Sequence, residues 1–256
     1  MSSIRPARRA AAGLATASVV ALALAACGGS STDSSTAAAT ATAAASSSAP
    51  STSAPAEPEQ PSMGELYTKV RTASLAAESG HLDGKVTQGG ETVALEIEGQ
   101  ADGSNQKTTI GIGKGTAEIL TVKKKYYMSA DKAFWTEQTG DASAAKLLVG
   151  KYVAISGSDA KQFGDLTLGA LLDQMFEESE LSTLEKLTSD VETRTEDGKE
   201  VWVASDGSGS EIWVDPTSER LVKIVVGGKD AGELTFDSWD DVDTFSAPPA
   251  SKVVTP

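Results

Sequence analysis

The stretch Leu166–Leu187, LTLGALLDQMFEESELSTLEKL, lies between two groups of segments that have the sequence pattern of β-strands. Its large apolar residues recur at the three- and four-residue spacing of one helix face: Leu168, Leu171, Leu172, Met175 and Phe176. This spacing predicts an amphipathic helix lying on a sheet. Ser182 with Glu185 three residues later is a capping-box pattern and predicts a second, shorter helix. We interpret the apolar face first as core packing, which is compatible with ligand binding if the core is hollow.

The residues before this helical stretch predict one helix and then a meander of antiparallel strands. Met63–Ser79 has apolar residues at helical spacing, and Gly80 ends the pattern. Apolar residues that alternate with polar or small ones then predict strands around positions 93–97 and 110–112, with glycine-rich turns between them. Further strands are predicted at 117–122, 126–129 and 133–137.

The last third of the chain returns to strands. Asp197-Gly198 and Asp206-Gly207 are hairpin turn signals. The strand between them is apolar on both faces, with Val201 and Val203 on one side and Trp202 and Ala204 on the other. A sheet with one solvated face shows polar residues at every second position. We therefore expect an α+β fold in which one sheet face meets the helices and the other is partly covered or lines a groove.

The N-terminal residues have the pattern of an export signal. Arg5, Arg8 and Arg9 precede an uncharged apolar run, Ala10–Ala26, which is short for a membrane span. The run ends in Leu24-Ala25-Ala26-Cys27, which resembles the lipobox of bacterial lipoprotein leaders. That resemblance implies a signal peptide over residues 1–26 and lipid attachment at Cys27, with the protein extracytoplasmic and anchored to the cell membrane. The alternative is an ordinary secretory signal that contains a cysteine.

Residues 27–62 are almost entirely Gly, Ser, Thr, Ala and Pro, and we expect a disordered tether. Residues 63–256 are then one globular domain of ordinary size. The chain has a formal net charge of −14, which disfavours nucleic acid as a partner. Its single cysteine excludes an intramolecular disulfide.

Little in the sequence indicates catalysis. His81 is the only histidine, and no Gly-x-Ser-x-Gly nucleophile turn accompanies it. Zinc requires three or four His or Cys ligands. The acidic group Asp237, Asp240, Asp241 and Asp243 lacks the spacing of a calcium loop, and we interpret it as a solvated rim. The tri-lysine Lys123–Lys125 is interpreted as a solvated turn, with contact to phosphate headgroups near the membrane as the alternative. We expect no enzyme activity, no metal and no cofactor, with a hydrolase as a remote alternative.

Several stretches resemble the mycobacterial and actinobacterial LppX/LprG-type lipoprotein family. They are Ser79–Leu82, Tyr126–Met128 with Phe134-Trp135, Ile212–Ile224, Leu234–Trp239 and the Pro248-Pro249 tail. The resemblance covers nearly the whole domain. It implies a LolA-like half-barrel, a strongly curved antiparallel sheet packed against an N-terminal helix and a middle helical segment.

The resemblance also implies a function. Members of that family hold acyl lipids or lipidated glycans in an apolar cavity between sheet and helices. The implied wall residues here are Leu95, Ile97, Ile110, Ile112, Leu172, Met175, Phe176 and Ile224. Aromatic residues are only 5% of the chain, which departs from a large cavity. Residues 157–165 are the candidate lid. The alternative is a solid-cored envelope module that recognises a protein or glycan partner through its surface.

Overall fold

Twelve strands form one sheet in the computed structural model, which describes residues 60–156, 158–164, 166–177 and 191–255. The strand order is β12-β6-β5-β4-β3-β2-β1-β11-β10-β9-β8-β7. Neighbouring strands are antiparallel except β12 and β6, which are parallel. The sheet is curved and unclosed, so the predicted α+β class with a curved antiparallel sheet is confirmed.

The helices and strands of the described residues have these bounds. The helices are α1 (Met63–Leu75), α2 (Lys132–Thr139), α3 (Ala142–Leu148), α4 (Ser158–Gly164) and α5 (Leu168–Met175). The strands of the first group are β1 (Ser79–Gln88), β2 (Glu91–Gln100), β3 (Asn105–Ile112), β4 (Gly115–Val122), β5 (Lys125–Ala130) and β6 (Tyr152–Ile155). Those of the second are β7 (Glu192–Glu196), β8 (Lys199–Ser205), β9 (Glu211–Val214), β10 (Leu221–Val226), β11 (Gly232–Asp237) and β12 (Val253–Val254).

The first helix begins where the sequence predicts it and ends one turn earlier than Ser79. Ser62 and Glu65 form a capping box, in which the Glu65 carboxylate accepts a 2.9 Å hydrogen bond from the Ser62 backbone N–H. This box satisfies backbone donors that the first helical turn leaves unpaired. Leu66 and Val70 are buried on the face that meets the sheet.

The strand predicted at 133–137 is wrong, because these residues lie in α2. Asp131 caps this helix by accepting a 2.8 Å hydrogen bond from the Phe134 N–H, and Gly140, with φ of 68°, ends it. The predicted strands at 117–122 and 126–129 are confirmed as β4 and β5. The middle helix is confirmed as α5, whereas the helix predicted at Ser182 lies outside the described residues.

One face of the sheet, the helix-side face, is apolar across the central strands. Leu82 of β1 pairs with Ile97 of β2 on one side and with Phe236 of β11 on the other, and all three are buried. The core lies between this face and helices α1 and α5. A Cβ on Gly84 would lie 2.1 Å from the carbonyl oxygen of Glu233. Glycine at this position therefore allows β1 and β11 to approach where the sheet bends.

The opposite face, the outer face, is covered in two different ways. Around β8 and β9, Val201, Val203 and Trp213 form a small apolar cluster. Lys223 and Arg194 lie over the Trp213 ring at 3.9 Å and 5.4 Å from its centroid. The prediction that β8 is buried on both faces is thus confirmed, since long charged side chains cover the second face.

Across β3 the outer face is covered by the C-terminal strap, residues 242–255. The Asn105 side chain donates a 2.8 Å hydrogen bond to the Phe245 carbonyl and accepts a 2.7 Å bond from the Phe245 N–H. The strap ends in β12, which pairs with β6. It therefore ties the region after β11 to the far edge of the sheet and lies on the face opposite the helices.

Candidate apolar groove

Four of the eight predicted wall residues lie in solid core. Ile97, Leu172, Phe176 and Ile224 are each at most 4% exposed and belong to one cluster of contacting side chains. Leu172 and Phe176 of the middle helical segment are thus core residues that pack in the same cluster as the sheet. These positions have no free surface for a ligand in this structure.

The other four predicted residues are more accessible. Leu95 and Met175 are half-buried at the edge of the core, Ile110 is half-buried, and Ile112 is 42% exposed. Leu95 of β2 pairs with Ile110 of β3, and Val93 pairs with Ile112. Paired residues project from the same side of a sheet. These four strand residues, Val93, Leu95, Ile110 and Ile112, form the apolar strip of the helix-side face.

The apolar strip lies between two helices. On one side, Leu171 and Met175 of α5 are half-buried and lie one helical turn apart, beside the buried Leu168 and Leu172. On the other side α2 crosses the sheet, where a Cβ on Gly115 would lie 2.8 Å from the Phe134 Cα. Gly115 pairs with Ile112, so α2 lies directly beyond the strip. The strip and these two walls define the groove.

The α5 wall is held in place by polar contacts that the sequence did not reveal. Gln106 is 3% exposed, and its side-chain amide donates to the Leu166 carbonyl at 2.9 Å and to Thr108 Oγ1 at 2.8 Å. Its carbonyl oxygen accepts from the Leu168 N–H at 3.2 Å. Gln106 lies at an inward position of the alternation that includes Ile110. This inward position is the sequence signal that could have identified Gln106, since a buried polar side chain must find hydrogen-bond partners.

The candidate lid falls mainly on α4. Residues 157 and 165, at its two ends, lie outside the described residues. The described part of α4 borders an open depression of about 450 Å³ that is lined by Tyr126, Ala160, Lys161 and Gly164. Opening and closing of this segment stays a prediction.

Titratable groups do not assemble into a metal site among the residues that the structure describes. His81 lies on the outer face, with Nδ1 3.1 Å from Asp237 Oδ1 and Nε2 3.8 Å from Glu96 Oε1. No three His, Cys, Asp or Glu side chains of the described ranges are arranged to hold a metal ion. The absence of enzyme activity, metal and cofactor stays a prediction.

The predicted leader, Cys27 and most of the predicted tether lie outside the described residues. Among the helices that the structure describes, none combines the length and the apolar composition needed to cross a bilayer.

Comparisons with known proteins find likeness in structure and none in sequence. No protein-family model matches the chain, and no curated protein does. Among solved structures, LprF from Mycobacterium bovis matches 74% of this chain and 99% of its own, at 15% identity and a TM-score of 0.47.

Two further matches cover similar shares of this chain. Lipoprotein LppX from Mycobacterium tuberculosis matches 72% of this chain and 98% of its own, at 12% identity and a TM-score of 0.31. A conserved protein from Thermus thermophilus matches 75% and 98%, at 8% identity and a TM-score of 0.34. LppX belongs to the family that the sequence resembles, and the match is a distant likeness of fold.

Proposed function

We propose that this chain is a cell-envelope lipoprotein that binds an acyl lipid or lipidated glycan, with the acyl chain in the groove and no chemical step. The observation that supports this proposal is the apolar strip, which remains partly exposed between α5 and α2 although it adjoins a well-packed core. An exposed contiguous apolar surface rimmed by helices is typical of a binding site. Residues 1–26 are proposed as the signal peptide, 27–62 as the tether and 63–256 as the binding domain, with acylated Cys27 as the membrane anchor.

The expected affinity follows from apolar burial. Each methylene removed from water contributes about 0.8 kcal/mol, so ten buried methylenes contribute on the order of 8 kcal/mol. Loss of translational and chain freedom opposes this gain. The groove therefore binds one long acyl chain reversibly, which suits a carrier.

The test is a pair of tryptophan substitutions on the two faces of one strand. Ile110→Trp fills the floor of the groove, whereas Thr109→Trp adds the same ring on the outer face, where Thr109 pairs with Glu96 and Glu118. We expect Ile110→Trp to lower the occupancy of a fluorescent sixteen-carbon fatty acid at least roughly tenfold, and Thr109→Trp to leave it unchanged. Thermal unfolding checks that both variants are folded.

Native mass spectrometry of the unaltered chain, purified from an actinobacterial expression host, completes the test. A stoichiometric lipid supports the proposal and identifies the cargo class. A clean apo mass, with no uptake of the fatty acid, contradicts it and favours the solid-cored module that recognises a partner through its surface. Equal binding by Ile110→Trp and Thr109→Trp contradicts the placement of the ligand in the groove.

A further inference from the structure

Exposed large hydrophobic side chains are concentrated in one part of the molecule. In the described ranges they are Ile112, Leu147, Val149 and Val254, at 42%, 77%, 45% and 39% exposure. Leu147 and Val149 lie in the α3 tip, which we define as residues 146–151 at the end of α3. A single exposed leucine is ordinary, whereas exposed apolar side chains that cluster mark an interaction surface.

The strand register places the α3 tip at the same end of the sheet as Ile112. Lys151 immediately precedes β6, where Val153 pairs with Met128 of β5. Ala130, two residues after Met128 in β5, pairs with Ala117 of β4. Gly115, two residues before Ala117, pairs with Ile112 of β3. Helix α2 packs on this same end at Gly115 and contacts α3. The groove therefore opens, through Ile112, toward the side of the molecule where the α3 tip lies.

Lysines surround this apolar surface in a chain that is acidic as a whole. Lys114, Lys132 and Lys146 are exposed, and Lys151 is half-buried. Among the described residues none of the four forms an ion pair. Lys123–Lys125 lie in the turn between β4 and β5, at the opposite end of the sheet. The segments at this end, residues 112–115 and 130–151, contain four lysines and three acidic residues, whereas the whole chain has 22 Lys and Arg against 36 Asp and Glu.

Two of those three acidic residues act as helix caps. Asp131 accepts from the Phe134 N–H at 2.8 Å, and Asp141 accepts from the Ser143 N–H at 2.7 Å. Their carboxylates are thus committed to backbone donors. The lysines at this end have no such partners and remain available to an external anion.

We propose that the α3 tip and Ile112 form a membrane-docking surface, in which Leu147 and Val149 enter the headgroup boundary of an anionic bilayer. Apolar residues beside lysines suit this boundary, because lysine stems lie along the acyl region while the ammonium groups reach the phosphates. The patch contains few apolar residues, whereas a stable protein interface buries more than about 1,000 Å². A bilayer accepts a small apolar patch with a basic rim.

The docking surface stands on exposure and charge, and only its use as an entrance to the groove rests on the proposed function. The 32 residues between Cys27 and Gln60 span at most roughly 110 Å when extended. Attachment at Cys27 therefore does not dictate which side of the domain meets the membrane. The orientation must come from the domain surface, and this makes it measurable.

The experiment reads the local environment at two positions of the 256-residue chain. Cys27→Ser removes the only cysteine, and a single cysteine is then introduced as Leu147→Cys or as Thr217→Cys and labelled with NBD. Thr217 is exposed in the turn between β9 and β10, at the opposite end of the sheet. The labelled chains are added to vesicles of phosphatidylcholine, with or without phosphatidylglycerol and brominated acyl chains.

We expect a blue-shifted emission that brominated lipid quenches at position 147 in the anionic vesicles, and a buffer-like emission at position 217. Adding Lys146→Gln and Lys151→Gln to the chain labelled at 147 should weaken that response, by roughly fivefold in vesicle affinity for each lysine. Equal emission at the two positions, or no change at 147, would overturn the proposal. Fatty-acid binding measured on the same chains without vesicles keeps this outcome distinct from failure of the proposed function.

Discussion

Asp240 joins three parts of the chain through one carboxylate. Its Oδ1 accepts a 2.7 Å hydrogen bond from the Glu78 N–H, and its Oδ2 pairs with Arg220. Its own N–H donates to the Ser79 carbonyl at 2.9 Å. Burial tends to raise the pKa of Asp240, but the hydrogen bonds from Arg220 and the Glu78 backbone outweigh it, so the pKa lies below its ordinary value. The start of β1 and the turn before β10 therefore depend on the ionised form.

Removing that charge should destabilise the domain in a pH-dependent way. We expect Asp240→Asn to lower the free energy of unfolding by about 1 kcal/mol at pH 7, a modest value because the pair is partly exposed. Asparagine tolerates the left-handed backbone at this position, where φ is 61°. The folded-state pKa is lowered, so the contribution is complete above the unfolded pKa of about 3.9 and is lost as pH falls through the folded value.

Urea unfolding at pH 7, 5 and 3 measures this effect. The difference between wild type and Asp240→Asn should stay constant from pH 7 to 5 and shrink toward pH 3. Asp241→Asn is the control, since Asp241 is exposed and adjacent in sequence. A difference that persists undiminished well below the folded pKa would show that the carboxylate charge is not its source.

For individual residues, the sequence pattern predicted which strand side chains are accessible, but it did not predict which helix side chains are packed in the core. Leu95 and Ile110 were predicted to face a cavity, and both lie half-buried in the groove. Phe176 and Leu172 were given the same role but lie in solid core. A sequence pattern identifies the apolar face of an element, whereas the partner on that face depends on long-range packing. Gln106 was missed for the same reason, because its hydrogen-bond partners belong to α5 and the residues before it.

Helix α5 docks on the turn between β2 and β3 with little clearance. The Gly169 N–H donates to the Ala101 carbonyl oxygen at 2.9 Å. A Cβ on Gly169 would lie 2.7 Å from that same oxygen. The helix begins at this contact, and the contact fixes the position of Leu171 and Met175 at the groove.

Substitution of Gly169 by alanine should therefore destabilise the domain. Helix propensity alone would make Gly169→Ala stabilising by about 1 kcal/mol. We expect instead a loss of roughly 1–3 kcal/mol, because the helix must move away from Ala101. Chemical denaturation measures the sign. Ala170→Gly, at an exposed position of the same helix, calibrates the propensity effect. If Gly169→Ala stabilises the chain, α5 has more freedom at this contact than the structure shows.

At the scale of elements, turn and cap chemistry was more informative than periodicity. Asp197-Gly198 predicted the β7–β8 hairpin, and both residues have the positive φ that such a turn requires, at 50° and 78°. Residues 133–137 were predicted as a strand, yet they form a helix between the cap Asp131 and Gly140. The periodicity of a short apolar run does not distinguish a helix from a strand, and here the capping residues do.

At the scale of the whole molecule, strand order was the least predictable feature. Leu82 pairs with Phe236 in the middle of the sheet, although they are far apart in sequence. Local patterns contain no information about which distant strands pair, because pairing depends on the shared core. The covered outer face was predictable only at β8, where both sets of alternating residues are apolar. The C-terminal strap had no sequence signal beyond its prolines.

The strap and the groove occupy opposite faces of the same strand, β3. Lys107 lies 5.0 Å from the centroid of the Phe245 ring and is bonded to Glu98 Oε2 at 2.6 Å. That hydrogen bond raises the pKa of Lys107, although burial opposes the shift. The raised pKa keeps Lys107 protonated at neutral pH, so the cation over Phe245 is retained there. Phe245 thus belongs to the outer face, and Ile110 belongs to the groove.

This separation predicts that stability and ligand binding respond to different substitutions. We expect Phe245→Ala to lower the free energy of unfolding by roughly 1–2 kcal/mol, from lost apolar contact and the lost cation–π interaction, while fatty-acid occupancy stays unchanged. Ile110→Trp should instead lower fatty-acid occupancy and leave the free energy of unfolding unchanged. Val254→Ala, in the same strap but 39% exposed, is the control for stability. Because both faces are built on β3, a loss of binding in Phe245→Ala equal to that in Ile110→Trp would mean that the strap shapes the groove through the strand, and the two faces would then act as one unit.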